Sequence, residues 1–245
     1  MKALVLAGGR GSRLGELTNN KNKCMYEFRG RPLIEYSLEY ARSAAVSEIV
    51  IVVSYQAESI INRLGNNYQG LPIKYVIQWE TKGLVHAIEC SEQTIAGSDF
   101  MLFLADEVLF NPRHVDMIQC FKEQSVFALC GVVRVEETSQ IRKTYAIIYN
   151  EQDDRIYRLI EKPRKPLNHL MGTGNCVFKN EIFSYIPYTP INQQRGEKEL
   201  PDLIQCALDD GRLVKFFEIG ERYVNVNAVD DIAGLEKSWP THDAG

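Results

Sequence analysis

Four apolar runs in the first half of the chain, Lys2–Leu6, Glu48–Val53, Ile73–Ile77 and Phe100–Leu104, alternate with stretches at helical spacing. The helical patterns cover about Leu33–Arg42, Ala57–Leu64, Leu84–Thr94 and His114–Lys122. In the first of them Leu33, Ile34, Leu38 and Ala41 share one face. Strands that are apolar almost throughout are those covered on both faces of a parallel sheet. Repeated β-α-β order therefore predicts a doubly wound α/β sheet. Ligands of such sheets bind outside the carboxyl ends of the strands. The residues just after each apolar run are thus the candidates for chemistry.

The 245 residues suffice for one domain, or one domain with an extra lobe. A net charge of −4 gives no reason to expect nucleic-acid binding. No apolar run approaches the ~20 residues of a membrane span. The chain enters its first strand at once, so a signal peptide is not expected and a cytoplasmic location is. Cys24, Cys90, Cys120, Cys130, Cys176 and Cys206 are scattered without C-x-x-C spacing, which favours reduced thiols over disulfides or zinc. Cys24, beside Lys23, is the one cysteine worth testing for reactivity, although a structural role suits it better.

The second half is less regular. Strands are predicted at Phe127–Val133, Thr144–Tyr149 and Arg155–Ile160, and a loop at Pro163–Gly174 with its two prolines and two glycines. A helix over Glu199–Asp209 is marked by Pro201 and stopped by Gly211. Strands at Val214–Ile219 and Tyr223–Val226 precede a last helix of about Val229–Ser238.

The first strand runs into Leu6-Ala7-Gly8-Gly9-Arg10-Gly11-Ser12-Arg13-Leu14, and Lys23 follows. Glycines let a backbone turn tightly and bring its N–H groups close to an anion. Arg10 and Arg13 add charge-assisted donors, and Lys23 a compact point charge. The run is not a P-loop, which needs four residues between its glycines and then Gly-Lys-Ser/Thr. Nor is it a dinucleotide fingerprint, because Leu14 stands where the third glycine belongs. The second strand also ends in Ser54-Tyr55 without a carboxylate. A glycine triplet alone would be only a tight strand-to-helix turn. The arginines and the lysine move the reading to a phosphate site.

Four further features follow predicted strands. Gln78 closes the third strand and Gly83 opens the next helix; an amide offers a donor and an acceptor to a base edge. Asp106 lies just past Phe100–Leu104 and suits Mg²⁺, which takes one or two protein oxygens plus phosphates. Glu161-Lys162-Pro163 ends another strand. Asn227 follows Tyr223–Val226 and could supply a second oxygen to a metal. Each alone reads as a solvated loop, turn or cap residue; together they read as a site.

These motifs resemble the nucleotidyltransferase family that makes nucleoside-diphosphate sugars, including the glucose-1-phosphate thymidylyl- and uridylyltransferases. The family pattern L-A-G-G-x-G-[ST]-R-L is intact from Leu6 to Leu14, and Lys23 takes the place of the P-K lysine. Gly30-Arg31-Pro32-Leu33-Ile34-Glu35-Tyr36 matches the next motif. The match continues through Gln78, Gly83, Asp106, Glu161-Lys162-Pro163, Gly174-Asn175 and Gly196-Glu197. The resemblance implies one domain over residues 1–245, with a doubly wound mixed, mainly parallel sheet of glycosyltransferase-A-like kind. About 1–125 would bind nucleotide and about 126–245 would form a smaller sugar-phosphate lobe.

It further implies that Leu6, Ala7, Gly8, Gly9, Gly11 and Ser12 hold the nucleotide, with Gln78 and Gly83 at its base. Arg13, Lys23 and Lys162 would be catalytic, and Ala146, Glu161, Lys162 and Asn175 would hold the sugar phosphate. Asp106 and Asn227 would bind Mg²⁺. Asn22 replaces the family proline, Ala105 and Ala146 replace glycines, and Leu84 stands where a small residue is common. The implied reaction joins a nucleoside triphosphate, UTP or dTTP first, to a sugar 1-phosphate and releases pyrophosphate. A cytidylyltransferase acting on a phosphorylated alcohol or amino alcohol, and a silent nucleotide-sugar-binding regulator, are the alternatives. The sequence leaves the sugar open, and a homo-oligomer is possible.

Overall fold

The computed structural model describes residues 1–9, 22–227, 231–232 and 234–235. Strand β1 (Lys2–Leu6) is followed by a 3-10 turn at Lys23–Met25 and a hairpin of β2 (Glu27–Phe28) and β3 (Arg31–Pro32). Next come α1 (Leu33–Ser43), β4 (Ile49–Val53), α2 (Ala57–Leu64), β5 (Asn67–Tyr68) and β6 (Leu71–Ile77). Helices α3 (Leu84–Cys90) and α4 (Glu92–Ile95) lead to β7 (Phe100–Leu104), β8 (Glu107–Phe110) and α5 (His114–Gln124). Then follow β9 (Ala128–Arg134), β10 (Tyr145–Tyr149), β11 (Ile156–Glu161) and β12 (Leu170–Phe178). The short β13 (Ile191–Asn192) and β14 (Glu197–Lys198) precede α6 (Leu200–Asp209), β15 (Val214–Glu218) and β16 (Arg222–Asn225).

One ten-stranded sheet runs β11-β10-β12-β7-β1-β4-β6-β5, with β9 paired to both β12 and β15. Its centre is parallel: β1 lies between β4 and β7, and β6 flanks β4. Antiparallel β12, β10 and β11 extend it, which makes the sheet mixed. Alternation along β1 divides the core in two. Ala3 and Val5 pack with Leu38 of α1, Ile60 of α2 and Met117 of α5. Leu4, between them, packs with Val85 and Ile88 of α3 and Leu203 of α6. Successive strand side chains point to opposite faces, so both faces must be apolar and both are covered. Each fully buried Leu or Ile contributes about 2 kcal/mol.

Two expectations need correction. Pro163–Gly174 is not loop throughout: from Leu170 it is β12, whose nine residues are all buried. Its glycines serve packing rather than turning. A Cβ on Gly172 would fall 2.1 Å from the Tyr145 ring, and one on Gly174 would fall 2.3 Å from Leu104. Glycine inside a strand marks such close approach as readily as a turn. The helix expected over Leu84–Thr94 is divided at Ser91, whose hydroxyl donates to Ile88 O at 2.6 Å. That local bond competes with the helical ladder. Asp231–Ile232 and Gly234–Leu235 are helical, and the remainder of the expected last helix lies outside the described residues. No helix among the described residues is long and apolar enough to cross a membrane.

Candidate active site

The parallel ladders continue one residue past their strands. Ala7 N donates to Val52 O (2.8 Å), Gln78 N to Val53 O (2.8 Å) and Ala105 N to Leu6 O (3.1 Å). Gly8, Gln78 and Asp106 are therefore delivered to one edge of the sheet. A Cβ on Gly8 would stand 3.1 Å from Gln78 Oε1 and 3.2 Å from Ser54 Cβ, whereas Gly9 has open space around it. Gly8 is small because the two neighbouring strand ends crowd it.

At this edge the Lys23 ammonium meets two oxygens. Its Nζ lies 2.6 Å from Asp106 Oδ2 and 3.0 Å from Asn227 Oδ1. Lys23 is only 8% exposed, so the charge is held rather than solvated. Asn22 places it. The Asn22 amide donates to Ala7 O (3.1 Å) and Tyr55 O (2.7 Å) and accepts from Cys24 N (3.0 Å). This ties the lysine turn to the segments leaving β1 and β4. Proline at that position has no amide side chain and could make none of these bonds. Asn227 arrives through β16, antiparallel to β8 with Asn225 opposite Glu107, and Val226 N donates to Asp106 O at 2.9 Å. The neighbouring Cys24 thiol is buried and its pKa is pushed up by that burial, then by the Asp106 charge. Both causes disfavour the thiolate that a nucleophile needs, which suits a packing role.

Behind Asp106 lies a buried polar network. The Glu107 carboxylate accepts from Gly174 N (3.0 and 3.1 Å), Asn175 Nδ2 (2.8 Å) and the Tyr223 hydroxyl (2.5 Å). Burial pushes its pKa up to about 8, against the pull of the Tyr223 and Gly174 donors. Asn175 Oδ1 faces His114 Nε2 at 2.9 Å. With the Asn175 amide nitrogen already on Glu107, Nε2 must carry the proton and donate. His114 is buried, stacks on Tyr40 at 4.7 Å, and is pushed down to about 4 by desolvation. The network binds β8 to β12 and β16, and so holds Asp106 and Asn227 in register.

Gln78, 4% exposed, donates from Nε2 to Gly83 O (3.1 Å) and faces His86 Nδ1 (2.9 Å). Gly83 has φ +90°, a conformation that glycine adopts without strain, and a Cβ there would stand 2.7 Å from the Glu197 carboxylate.

The second-half candidates are spread along β10, β11 and β12. Ala146 is buried in β10 opposite Ile160 and Met171. Glu161 ends β11, its pKa raised chiefly by burial, with Lys162 Nζ and Arg195 Nη1 each 3.3 Å from its Oε1. Lys162 N donates to Thr144 O at 2.7 Å while its φ is +43°. That strained backbone turns the lysine out of the strand path. Asn175 has both amide ends engaged, as above. Among the described residues, Lys23, Asp106 and Asn227 form one bonded group, and Gly8, Gln78 and Gly83 a second in direct contact. No hydrogen bond or ion pair among them joins Glu161 or Lys162 to either group. Leu6 and Ala7 contribute backbone to the ladders. Gly11, Ser12 and Arg13, with Arg10, lie outside the described residues.

Sequence reasoning singled out neither Asn22 as a donor nor Glu107, His114, Tyr223 and His86. Glu107 carried a signal: a carboxylate directly before Val108-Leu109-Phe110 opens a buried strand. A cavity of about 580 Å³ between Arg134, Tyr149 and Phe216 shares none of the site residues.

A family model described as nucleotidyl transferase matches residues 2–237. The UTP–glucose-1-phosphate uridylyltransferase AglF of Haloferax volcanii is 32% identical over 94% of this chain and 93% of its own length. A glucose-1-phosphate thymidylyltransferase of Streptomyces griseus is 29% identical over 97% of this chain and 65% of its own. The chain spans 58% of another relative, the nucleotidyltransferase Agl11 of Haloferax volcanii, at 32% identity. A solved structure of UDP-glucose pyrophosphorylase with UDP-glucose superposes with a TM-score of 0.87 at 20% identity, covering 97% of both chains.

Proposed function

The chain belongs to the nucleotidyl transferase family, and we propose that it joins a nucleoside triphosphate to a sugar 1-phosphate with release of pyrophosphate. The observation that carries this reading is the convergence of Lys23 Nζ on Asp106 and Asn227 at the strand edge that also presents Gly8 and Gln78. In this reaction an oxygen of the sugar phosphate attacks the α-phosphorus. A new P–O bond forms as the bond to the pyrophosphate oxygen breaks. No covalent enzyme intermediate is needed, so catalysis is positioning and neutralisation of charge.

Gly8, Gly9, Gly11 and Ser12 are assigned to the triphosphate, with Arg13 balancing the charge that builds on pyrophosphate. Lys23 and Lys162 bring two anions together against their repulsion. Gln78 and Gly83 take the base. Glu161, Ala146 and the Asn175 strand are assigned to the sugar, in a second half devoted to the acceptor. The relatives' names make UTP and dTTP with glucose 1-phosphate the first pairs to try.

A divalent cation fits the same edge. Asp106 Oδ2 and Asn227 Oδ1 already converge on one cationic atom, and a carboxylate plus an amide oxygen is a donor set that Mg²⁺ accepts alongside phosphates. Asp106 and Asn227 are the residues that would hold it. Bound there, Mg²⁺ supplies further neutralisation of phosphate charge.

Pyrophosphate release from a panel of triphosphates and sugar 1-phosphates, with and without Mg²⁺, tests the proposal. Turnover of UTP or dTTP with a hexose 1-phosphate is expected. Release only with phosphorylated alcohols, or with no acceptor at all, would sink it.

A further inference from the structure

The Gln78 amide has a fixed polarity. Its Nε2 lies 3.1 Å from Gly83 O, and a carbonyl oxygen can only accept. The nitrogen must therefore face Gly83, and the orientation follows without reference to any titratable group. The second hydrogen of the same nitrogen points to His86 Nδ1 at 2.9 Å. Nδ1 must then be the bare, accepting nitrogen of a neutral imidazole, with the proton on Nε2, which faces Cys90 Sγ at 3.8 Å. Both hydrogens of the amide are consumed. Oε1 remains, with no hydrogen-bond partner among the described residues, against Gly8 at the head of the phosphate loop.

We propose that His86 is a positioning residue for base selection: with Gly83 O it locks Gln78 so that only an acceptor, Oε1, faces the nucleotide. This rests on the assignment of Gln78 to the base. An acceptor matches the ring N3–H of uracil or thymine. It opposes cytosine, whose N3 carries a lone pair at the same place. His86 touches no substrate; Gly83 O sets the polarity of the amide, and His86 acts by holding its second hydrogen, so that the amide plane and with it Oε1 are fixed in place. Gly83 O alone leaves one amide hydrogen unpaired, and a singly anchored amide can swing about that one bond and hold Oε1 less firmly.

The test compares UTP and CTP binding by calorimetry, in the presence of Mg²⁺ and without acceptor, for the parent protein, His86→Leu and His86→Asn. A site built around one hydrogen bond rejects the wrong partner by orders of magnitude, so the parent is expected to prefer UTP by about a hundredfold or more. His86→Leu is expected to lose about tenfold of that ratio, corresponding to one hydrogen bond of about 1.4 kcal/mol. The loss should appear in the UTP dissociation constant and in KM, with kcat little changed. His86→Asn, whose Oδ1 can replace Nδ1 as acceptor, should restore the ratio.

An unchanged ratio in folded His86→Leu overturns the proposal, as does a parent that binds CTP as tightly as UTP. Nitrogen-15 NMR of the parent gives a check that needs no variant: His86 protonated on Nδ1 rather than Nε2 also overturns it. Selective UTP binding that His86→Leu weakens, in a protein that releases no pyrophosphate with any acceptor, supports this inference while rejecting the transferase reading.

Discussion

Lys23 Nζ lies 2.6 Å from Asp106 Oδ2, a largely buried ion pair that joins the Lys23–Met25 turn to the end of β7. The pair brings a cation and an anion to the edge where the proposed reaction would place its phosphates. Removing either partner strands the other. Lys23→Ala and Asp106→Ala should each lower pyrophosphate release by roughly 10²–10³-fold, the usual cost of losing an electrostatic stabiliser. Steady-state rates with UTP and glucose 1-phosphate measure this, and a Lys23→Ala protein that turns over at the parental rate removes Lys23 from the mechanism.

Asn22 makes three hydrogen bonds from a position that is 1% exposed. Asn22→Ala leaves Ala7 O, Tyr55 O and Cys24 N without these partners and frees the lysine turn. A loss of about 2 kcal/mol in denaturant unfolding is expected, with a drop in kcat larger than any change in KM. Stability equal to the parent's would show that the amide is dispensable.

Gly83→Ala meets two obstacles, a φ of +90° and a Cβ 2.7 Å from the Glu197 carboxylate. The backbone must shift, and Gln78 loses its partner on Gly83 O. Nucleotide affinity should fall about tenfold or more, as expected when one well-placed hydrogen bond is lost. Gly9→Ala, with open space around it, is the control and should retain a folded protein of parental stability.

His114 gives the fold a pH dependence of known sign. Its folded pKa is pushed down to about 4 from an ordinary value of 6.5. Above pH 6.5 the ring is neutral in both states and its contribution is complete. Below that the unfolded chain takes up a proton that the native state refuses, so stability is lost until about pH 4 is passed. The shift corresponds to about 3 kcal/mol. His114→Gln keeps a donor for Asn175 but cannot titrate. Its unfolding free energy should be flatter than the parent's between pH 6.5 and 4, and parallel profiles would refute the assignment.

The sheet's parallel centre was legible because period and burial agree. Runs such as Ile49–Val53 are apolar at every position, and only a strand covered on both faces requires that. The same logic failed at β12, where Gly172 and Gly174 look like turn residues. They are there because Tyr145 and Leu104 occupy the space of their side chains, a fact of neighbouring strands that local sequence does not contain.

By itself, the sequence determined the alternation of strands and helices and which residues stand at strand ends. Those are consequences of local periodicity and backbone freedom. The tertiary structure alone decided which strand ends meet. Lys23 and Asn227 are brought to Asp106 by an asparagine that bridges two loops and by the β8–β16 pairing, and Gln78 receives its polarity from the Gly83 carbonyl. Such contacts depend on directed hydrogen bonds between segments far apart in the chain, and no pattern along the chain encodes their direction.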